Sequence, residues 1–224
     1  MKTDERRQAR ELRAQGWSIR EIERRLGLAR SSVSLWVRDV ELTAEQRAAL
    51  VARMRTGQAA ARERKAAAAR AVRKSYQDEG RALARERDGS YAAGCMLYSA
   101  EGDKQRNSVR LSNADPEVLV FFAGFLRAHF GVRDEQMNVY CNLFADHVER
   151  QGEIERYWLE RLRLPSSCLR KSMVNVYSKY TAKKRSNKLP YGTCKLAVHS
   201  TRIVQTIYGS IQEYGGFERP AWLD

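Results

Sequence analysis

From Ala44 to about Arg87 the chain is built largely of Ala, Arg, Glu and Gln, all but a few residues good helix formers. Side chains larger than Ala that could enter a core are sparse there: Leu50, Val51, Met54, Val72, Tyr76 and Leu83. A segment with so little to bury cannot found a core, so it parts the sequence in three. These are an amino-terminal module (1–42), a helical connector (43–88) and a carboxy-terminal domain (89–224). Thr43 and Gln46 give the capping-box pattern at the start of the connector. Gly57 and Gly80 interrupt it, which favours two or three helical pieces over one rod. Such a connector buries little and serves as a spacer or as a strap across a partner.

Charge says what kind of partner. The 224 residues carry a formal net charge of +14 with a pI near 9.9, in the range of nucleic-acid binders. Residues 1–42 hold ten basic and seven acidic side chains, residues 43–87 twelve and five, and residues 88–224 nineteen and fifteen. The last figure conceals a polarised domain. From Arg161 to Gln212, 52 residues pass without an Asp or Glu while eleven Lys or Arg occur. Two separated cationic surfaces on one chain favour a polyanion long enough to touch both, and double-stranded DNA fits. The connector's excess either rides on phosphates, where neutralised charges add salt-dependent affinity, or is merely solvated.

No run of 18 apolar residues occurs, so no membrane partner is expected, and the charged N-terminus lacks a signal peptide's apolar core. Cys95, Cys141, Cys168 and Cys194 form no CxxC pair and read as reduced, mostly buried thiols. The expected location is cytoplasmic and nucleoid-associated. His129, His147 and His199 fall on different elements without ligand spacing, and read as core or surface residues rather than a zinc site.

In the amino-terminal module, Glu5–Gln15 reads as a short amphipathic helix ended by Gly16. Ser18 with Glu21 forms a capping box for a helix over Ile19–Leu26, and Gly27 supplies the tight turn. A third helix starts near Arg30 with Val33, Trp36 and Val37 inward. Trp17 to Asp39, WSIREIERRLGLARSSVSLWVRD, resembles the helix-turn-helix family of DNA binders, in the version found in resolvases and small regulators. The resemblance implies that the third helix enters the major groove. Its outward residues would be Arg30, Ser31, Ser32, Ser34, Leu35 and Arg38, a set able to pair guanine, bases or phosphates and a thymine methyl.

The carboxy-terminal domain reads as α+β. Helices are expected over Tyr91–Ala100, Glu117–Phe130, Val148–Leu162 and Thr201–Tyr214, with strands over Ser108–Ser112, Met137–Phe144, Arg170–Ser178 and Gly192–His199. VRLSNADPEVLVFFAGFLR and KLAVHSTRIVQTIYGSIQ share a strand–turn–helix pattern, which hints at internal pseudo-symmetry. The helix ending in Gly94–Gly102, GCMLYSAEG, resembles the motif of LAGLIDADG homing endonucleases, with Glu101 in the place of the acidic residue. That resemblance implies a curved antiparallel sheet saddling the major groove, in a family holding both nucleases and regulators that lost cleavage. Cleavage there needs two acids sharing divalent metal, and this chain shows one motif, with Met96 where a small residue is usual. Glu101 is therefore either a structural helix-end acid or a catalytic metal ligand completed by a homodimer. Asp103 is the alternate ligand, and Lys104 or Arg106 would contact the phosphate.

In the acid-free stretch, Lys171, Met173, Asn175, Tyr177 and Lys179 alternate with smaller residues and share one strand face. Arg170 precedes them, and the loop after them carries Lys183, Lys184, Arg185, Asn187 and Lys188 as a phosphate clamp. Together these features point to a sequence-specific DNA-binding protein, in the role of a transcriptional regulator or repressor, as a monomer on a long asymmetric site or a homodimer. Binding would need no cofactor. The alternative is a dimeric site-specific endonuclease, for which Mg²⁺ would be required, and a nonspecific architectural coat is the weakest reading.

Overall fold

The computed structural model describes residues 2–175 and 189–224. The chain divides into two compact units, Met1–Ala68 and Ala69–Asp224.

The first unit begins with helices α1 (Lys2–Ala14), α2 (Ile19–Leu26) and α3 (Arg30–Val37). Ala9, Ile22, Val33 and Val37 form its centre, with Leu12, Trp17, Leu26 and Trp36 packed around them. The boundaries follow from local chemistry. Ser18 Oγ accepts the Glu21 backbone N–H at 3.2 Å, and the Ser18 N–H donates to Glu21 Oε2 at 2.7 Å. This closes a capping box at the start of α2. Gly27 ends that helix at φ +65°, a left-handed conformation that favours glycine.

Helix α4 (Ala44–Glu86) is one unbroken helix, not the two or three pieces expected from Gly57 and Gly80. Its first half belongs to the first unit. Thr43 and Gln46 exchange backbone and side-chain hydrogen bonds at 3.0 and 3.2 Å, and Gln46 Nε2 then donates to Ala14 O at 2.8 Å. Arg53 Nη2 donates to Gly16 O at 3.0 Å.

In the second unit, α5 (Gly89–Glu101), α6 (Pro116–Phe130), α7 (Gln151–Leu162) and α8 (Thr201–Gly215) share a core with one face of a four-stranded sheet. Its strands are β1 (Val109–Asn113), β2 (Met137–Phe144), β3 (Met173–Asn175) and β4 (Thr193–Val198), in the order β1-β4-β2-β3. The α+β class stands. The first three strands in that order run antiparallel, while β3 joins β2 parallel, so the sheet is mixed at one edge. The helix expected from Val148 begins as a 3₁₀ turn, Ala145–Arg150, before α7 sets in at Gln151.

Residues Val109, Leu111, Met137, Val139, Cys141, Leu143, Cys194, Leu196 and Val198 alternate along their strands and share one core with the helices. All four cysteines are buried free thiols, and Cys141 lies opposite Cys194 in the β2–β4 register. The two strand–turn–helix segments become β1–α6 and β4–α8, whose strands lie side by side with Leu111 opposite Leu196.

The second half of α4 does far more than span a gap. Arg73, Gln77, Gly80 and Ala84 are buried. Opposite them, nine consecutive residues of α8, Val204–Gln212, are buried as well. A Cβ at Gly80 would stand 1.9 Å from Thr206 O, and one at Gly209 1.9 Å from Gln77 O. Glycine at both positions lets the backbones approach this closely. The polar groups so enclosed are paired, as burial demands. Gln77 Nε2 donates to Gln205 Oε1 at 2.7 Å, Gln212 Nε2 to Gln77 Oε1 at 2.9 Å, and Ser210 Oγ to Gly80 O at 2.8 Å.

Candidate nucleic-acid interfaces

On α3, Arg30, Ser31, Ser34, Leu35 and Arg38 are exposed and Ser32 is half-buried. Leu35 is 59 % exposed although it is apolar and sits on a helix with its own core face. Among the described residues Arg30 and Arg38 have no ion-pair or side-chain hydrogen-bond partner, which leaves their guanidinium groups available to a ligand. The helix is held from behind. Arg10 Nη1 donates to Trp36 O at 2.8 Å, and the same guanidinium grips the Asp39 carboxylate at 2.6 and 3.0 Å. This fixes the end of α3 to α1 and leaves the outward face untouched.

The hydrogen bond from Arg10 holds the Asp39 carboxyl below the ordinary Asp range. A carboxyl with a depressed folded-state pKa stabilises above its unfolded pKa, near 3.9, and loses that contribution as pH falls through the folded value. The melting temperature of the native chain should therefore exceed that of Asp39→Asn at neutral pH. The gap should narrow below about pH 4 and vanish at stronger acid. A gap that is constant from pH 7 to pH 2 would mean that the ion pair contributes nothing.

The second surface is the sheet face turned away from the core. It carries Arg110 and Ser112 from β1, Thr193 and Lys195 from β4, Asn138, Tyr140 and Asn142 from β2, and Met173 from β3. Register aligns them in rows. Lys195 sits between Ser112 and Tyr140, and Asn142 between Thr193 and Met173. No residue of the four strands is Asp or Glu, so the acid-free character extends to β1 and β2, well outside residues 161–212. Arg170 is pinned at the edge, its Nε donating to Asn138 Oδ1 at 2.7 Å and its Nη1 to Ser167 O at 2.7 Å.

The alternation expected from Lys171 onward holds where it is described. Lys171 and Met173 are exposed, Ser172 turns inward to donate to Glu155 Oε1 at 2.6 Å, and Val174 packs on the core. Asn175 ends β3 by its backbone. Tyr177, Lys179, Lys183, Lys184, Arg185, Asn187 and Lys188 lie outside the described residues. Arg110, Asn138, Tyr140 and Lys195 were not among the residues expected from sequence. The signal that finds them is the polar half of each strand's alternation once the strand order is known.

Along α4 the spare charge is uneven. Arg70, Lys74, Arg81 and Arg85 pair with Asp224, Asp78, Glu218 and Glu213, and Arg73 Nε donates to Leu223 O at 2.7 Å. Among the described residues Arg47, Arg55, Arg62, Arg64 and Lys65 have no ion-pair partner, and all belong to its first half, where any phosphate contact by this helix would fall.

Glu101 closes α5 as an exposed residue, and the next residue, Gly102, donates its N–H to Tyr98 O at 3.0 Å. Lys104 Nζ donates to Tyr98 O at 3.0 Å and Gly102 O at 2.7 Å, capping the helix end rather than projecting toward a phosphate. Burial lowers its pKa, while Asp103 and Glu101 raise it. A lysine already neutralises this corner, and no group of three or more His, Cys, Asp or Glu gathers among the described residues. The residues present do not fit a divalent-cation site within one chain. Gly94 is used inside the fold, where a Cβ would lie 2.1 Å from the Phe125 ring, and Met96 is 46 % exposed.

Among the described residues no helix is long and apolar enough to cross a membrane. Residues 4–48 match the family model described as "Putative ATPase subunit of terminase (gpP-like)", a span that takes in most of α1, all of α2 and α3, and the first turn of α4. No curated protein and no solved structure matches the chain.

Proposed function

We propose that the chain is a sequence-specific double-stranded DNA-binding protein that reads its site with the outward face of α3 and with the polar face of the sheet. The observation that carries this reading is the α3 face itself: two unpaired arginines, small hydroxyl residues and one exposed leucine on a helix clamped from behind. Major-groove recognition uses such side chains, Arg for guanine, Ser for bases or phosphates and an apolar group for a thymine methyl. The match of residues 4–48 supports it, since terminases act on DNA during packaging. The chain contains no G-x-x-x-x-G-K-[ST] loop of the kind that cradles nucleotide phosphates.

The sheet contributes a second, sequence-distant surface of amides, a tyrosine and two cations, Arg110 and Lys195, without an ion-pair partner among the described residues. This is the role that the LAGLIDADG-like reading of residues 89–224 assigned to a groove-saddling sheet. Action is by occupancy, as a transcriptional regulator or repressor. The terminase match favours a second role for the same binding, marking a DNA site for packaging. Cleavage through Glu101 draws no support from its surroundings.

Incubating the protein with sheared genomic DNA and Mg²⁺, then sequencing captured fragments with their ends, tests the reading. Intact fragments sharing one long asymmetric motif are expected. Fragment ends piled up inside the motif would show cleavage instead, and no shared motif would leave a nonspecific coat. On a captured duplex, Lys195→Ala should weaken cognate and random DNA alike and lower the salt slope by about one. An unchanged slope would take the sheet out of the interface.

A further inference from the structure

Within the first unit, α2 and the first half of α4 flank an open groove of about 960 Å³. Its floor is apolar: Ile19 from α2, then Leu50, Val51, Met54 and Ala61 along α4. Those α4 positions, with Gly57 and Gln58, recur at helical spacing and form one continuous stripe about 16 Å long at 1.5 Å per residue. Val51 is 42 % and Met54 56 % exposed. Arginines rim the stripe: Arg13, Arg20, Arg24, Arg30, Arg53 and Arg64. The sole carboxylate among the lining residues, Glu21, is committed to the Ser18 N–H at 2.7 Å and faces Arg53 at 3.5 Å.

Gly57 adds a second observation. Glycine inside a helix is unfavourable relative to alanine and needs a reason. At Gly80 the reason is visible, because α8 crosses there. At Gly57, among the described residues, nothing beyond the adjoining turns of its own helix lies within 4 Å of where a Cβ would stand, so no packing contact requires the glycine. A missing side chain in the middle of an exposed apolar stripe lets a helix from another molecule approach closely, as α8 does at Gly80.

We infer that this groove docks an acidic amphipathic helix of a partner protein, about three turns long. Its apolar residues would lie on the stripe and its carboxylates against the arginine rim, the helix-in-groove mode of recognition. Double-stranded DNA would satisfy the arginines but would leave the apolar floor without a counterpart, and the phosphate backbone offers no apolar face at this spacing. The inference rests on Ile19 and the α4 stripe, and of the rim residues Arg30 alone is shared with the α3 face.

The probe is a fluorescein-labelled peptide of about 16 residues with leucines at i, i+4, i+7 and i+11 and glutamates on the flanking positions. A control of the same composition has its leucines dispersed around the helix. With the full chain, the aligned peptide should bind saturably and at least tenfold more tightly than the control. Val51→Ser with Met54→Ser, both at exposed positions, should weaken the aligned peptide at least tenfold and leave duplex affinity unchanged. Gly57→Leu should weaken it similarly while raising the stability of the chain. Arg24→Ala with Arg64→Ala should weaken it in a salt-dependent way. Equal binding of the two peptides would overturn the inference, leaving only charge attraction. Loss of duplex affinity in the Val51/Met54 variant equal to its loss of peptide affinity would also overturn it, assigning the groove to nucleic acid.

Discussion

Gly80→Ala is expected to destabilise the chain by about 3 kcal/mol, while Gly57→Ala in the same helix is expected to stabilise it by about 1 kcal/mol. The sign differs because the surroundings differ. At Gly80 the new methyl would sit 1.9 Å from Thr206 O and 3.0 Å from Ser210 N, both backbone atoms of a helix that cannot rotate away. Relief requires α4 and α8 to separate, which strains the Gln77 hydrogen bonds to Gln205 and Gln212 and the one from Ser210 to Gly80 O. A buried polar group that loses its partner costs about 1–3 kcal/mol, so the clash and the network loss act together. At Gly57 the methyl meets nothing, and only the gain in helix propensity remains. Urea unfolding of the two variants beside the native chain checks both signs. A Gly80→Ala variant as stable as the native chain would contradict the close crossing of α4 and α8. Gly209→Ala, whose methyl would stand 1.9 Å from Gln77 O, should behave like Gly80→Ala.

The second large effect is on recognition. Arg30→Ala and Arg38→Ala are each expected to cost about 1–3 kcal/mol on the cognate duplex, and the double replacement on the order of 10²-fold or more in affinity. Both side chains are exposed and unpaired, so removing them should leave the fold of the first unit intact, with Arg10 still holding Asp39 and Trp36 O. Affinity for random duplex should fall much less, because base-edge contacts carry the discrimination while phosphate contacts elsewhere remain. The cognate-to-random ratio is therefore the quantity to measure, at fixed salt. A ratio that survives the double replacement would remove α3 as the reading element.

How much of this was legible in the sequence depended on the range of the interaction. Ser18, Glu21 and Gly27 act within a few residues, and the helix they bound, Ile19–Leu26, is read directly from them. The alternation in Met137–Phe144 gives β2 to the residue. Gly80 reads as an interruption because a glycine that breaks a helix and one that admits a crossing helix look alike in sequence; the difference is made by Gly209, 129 residues later. The sheet face was only partly legible for the same reason. Lys171 and Met173 stood out inside the acid-free run, whereas Arg110, Tyr140 and Lys195 are joined by the strand order β1-β4-β2 and by nothing local. Glu101 stands out for another reason. A short motif drew attention to it, yet its surroundings are a lysine-capped helix end.

The central claim is that two separate surfaces of one chain read one DNA site. Hydroxyl-radical footprinting of the full-length protein on a captured duplex tests it most directly. The account predicts two protected segments. Arg30→Ala with Arg38→Ala should erase one of them, and Arg110→Ala with Lys195→Ala should erase the other. A single protected segment that responds to one pair of replacements and not to the other would contradict it.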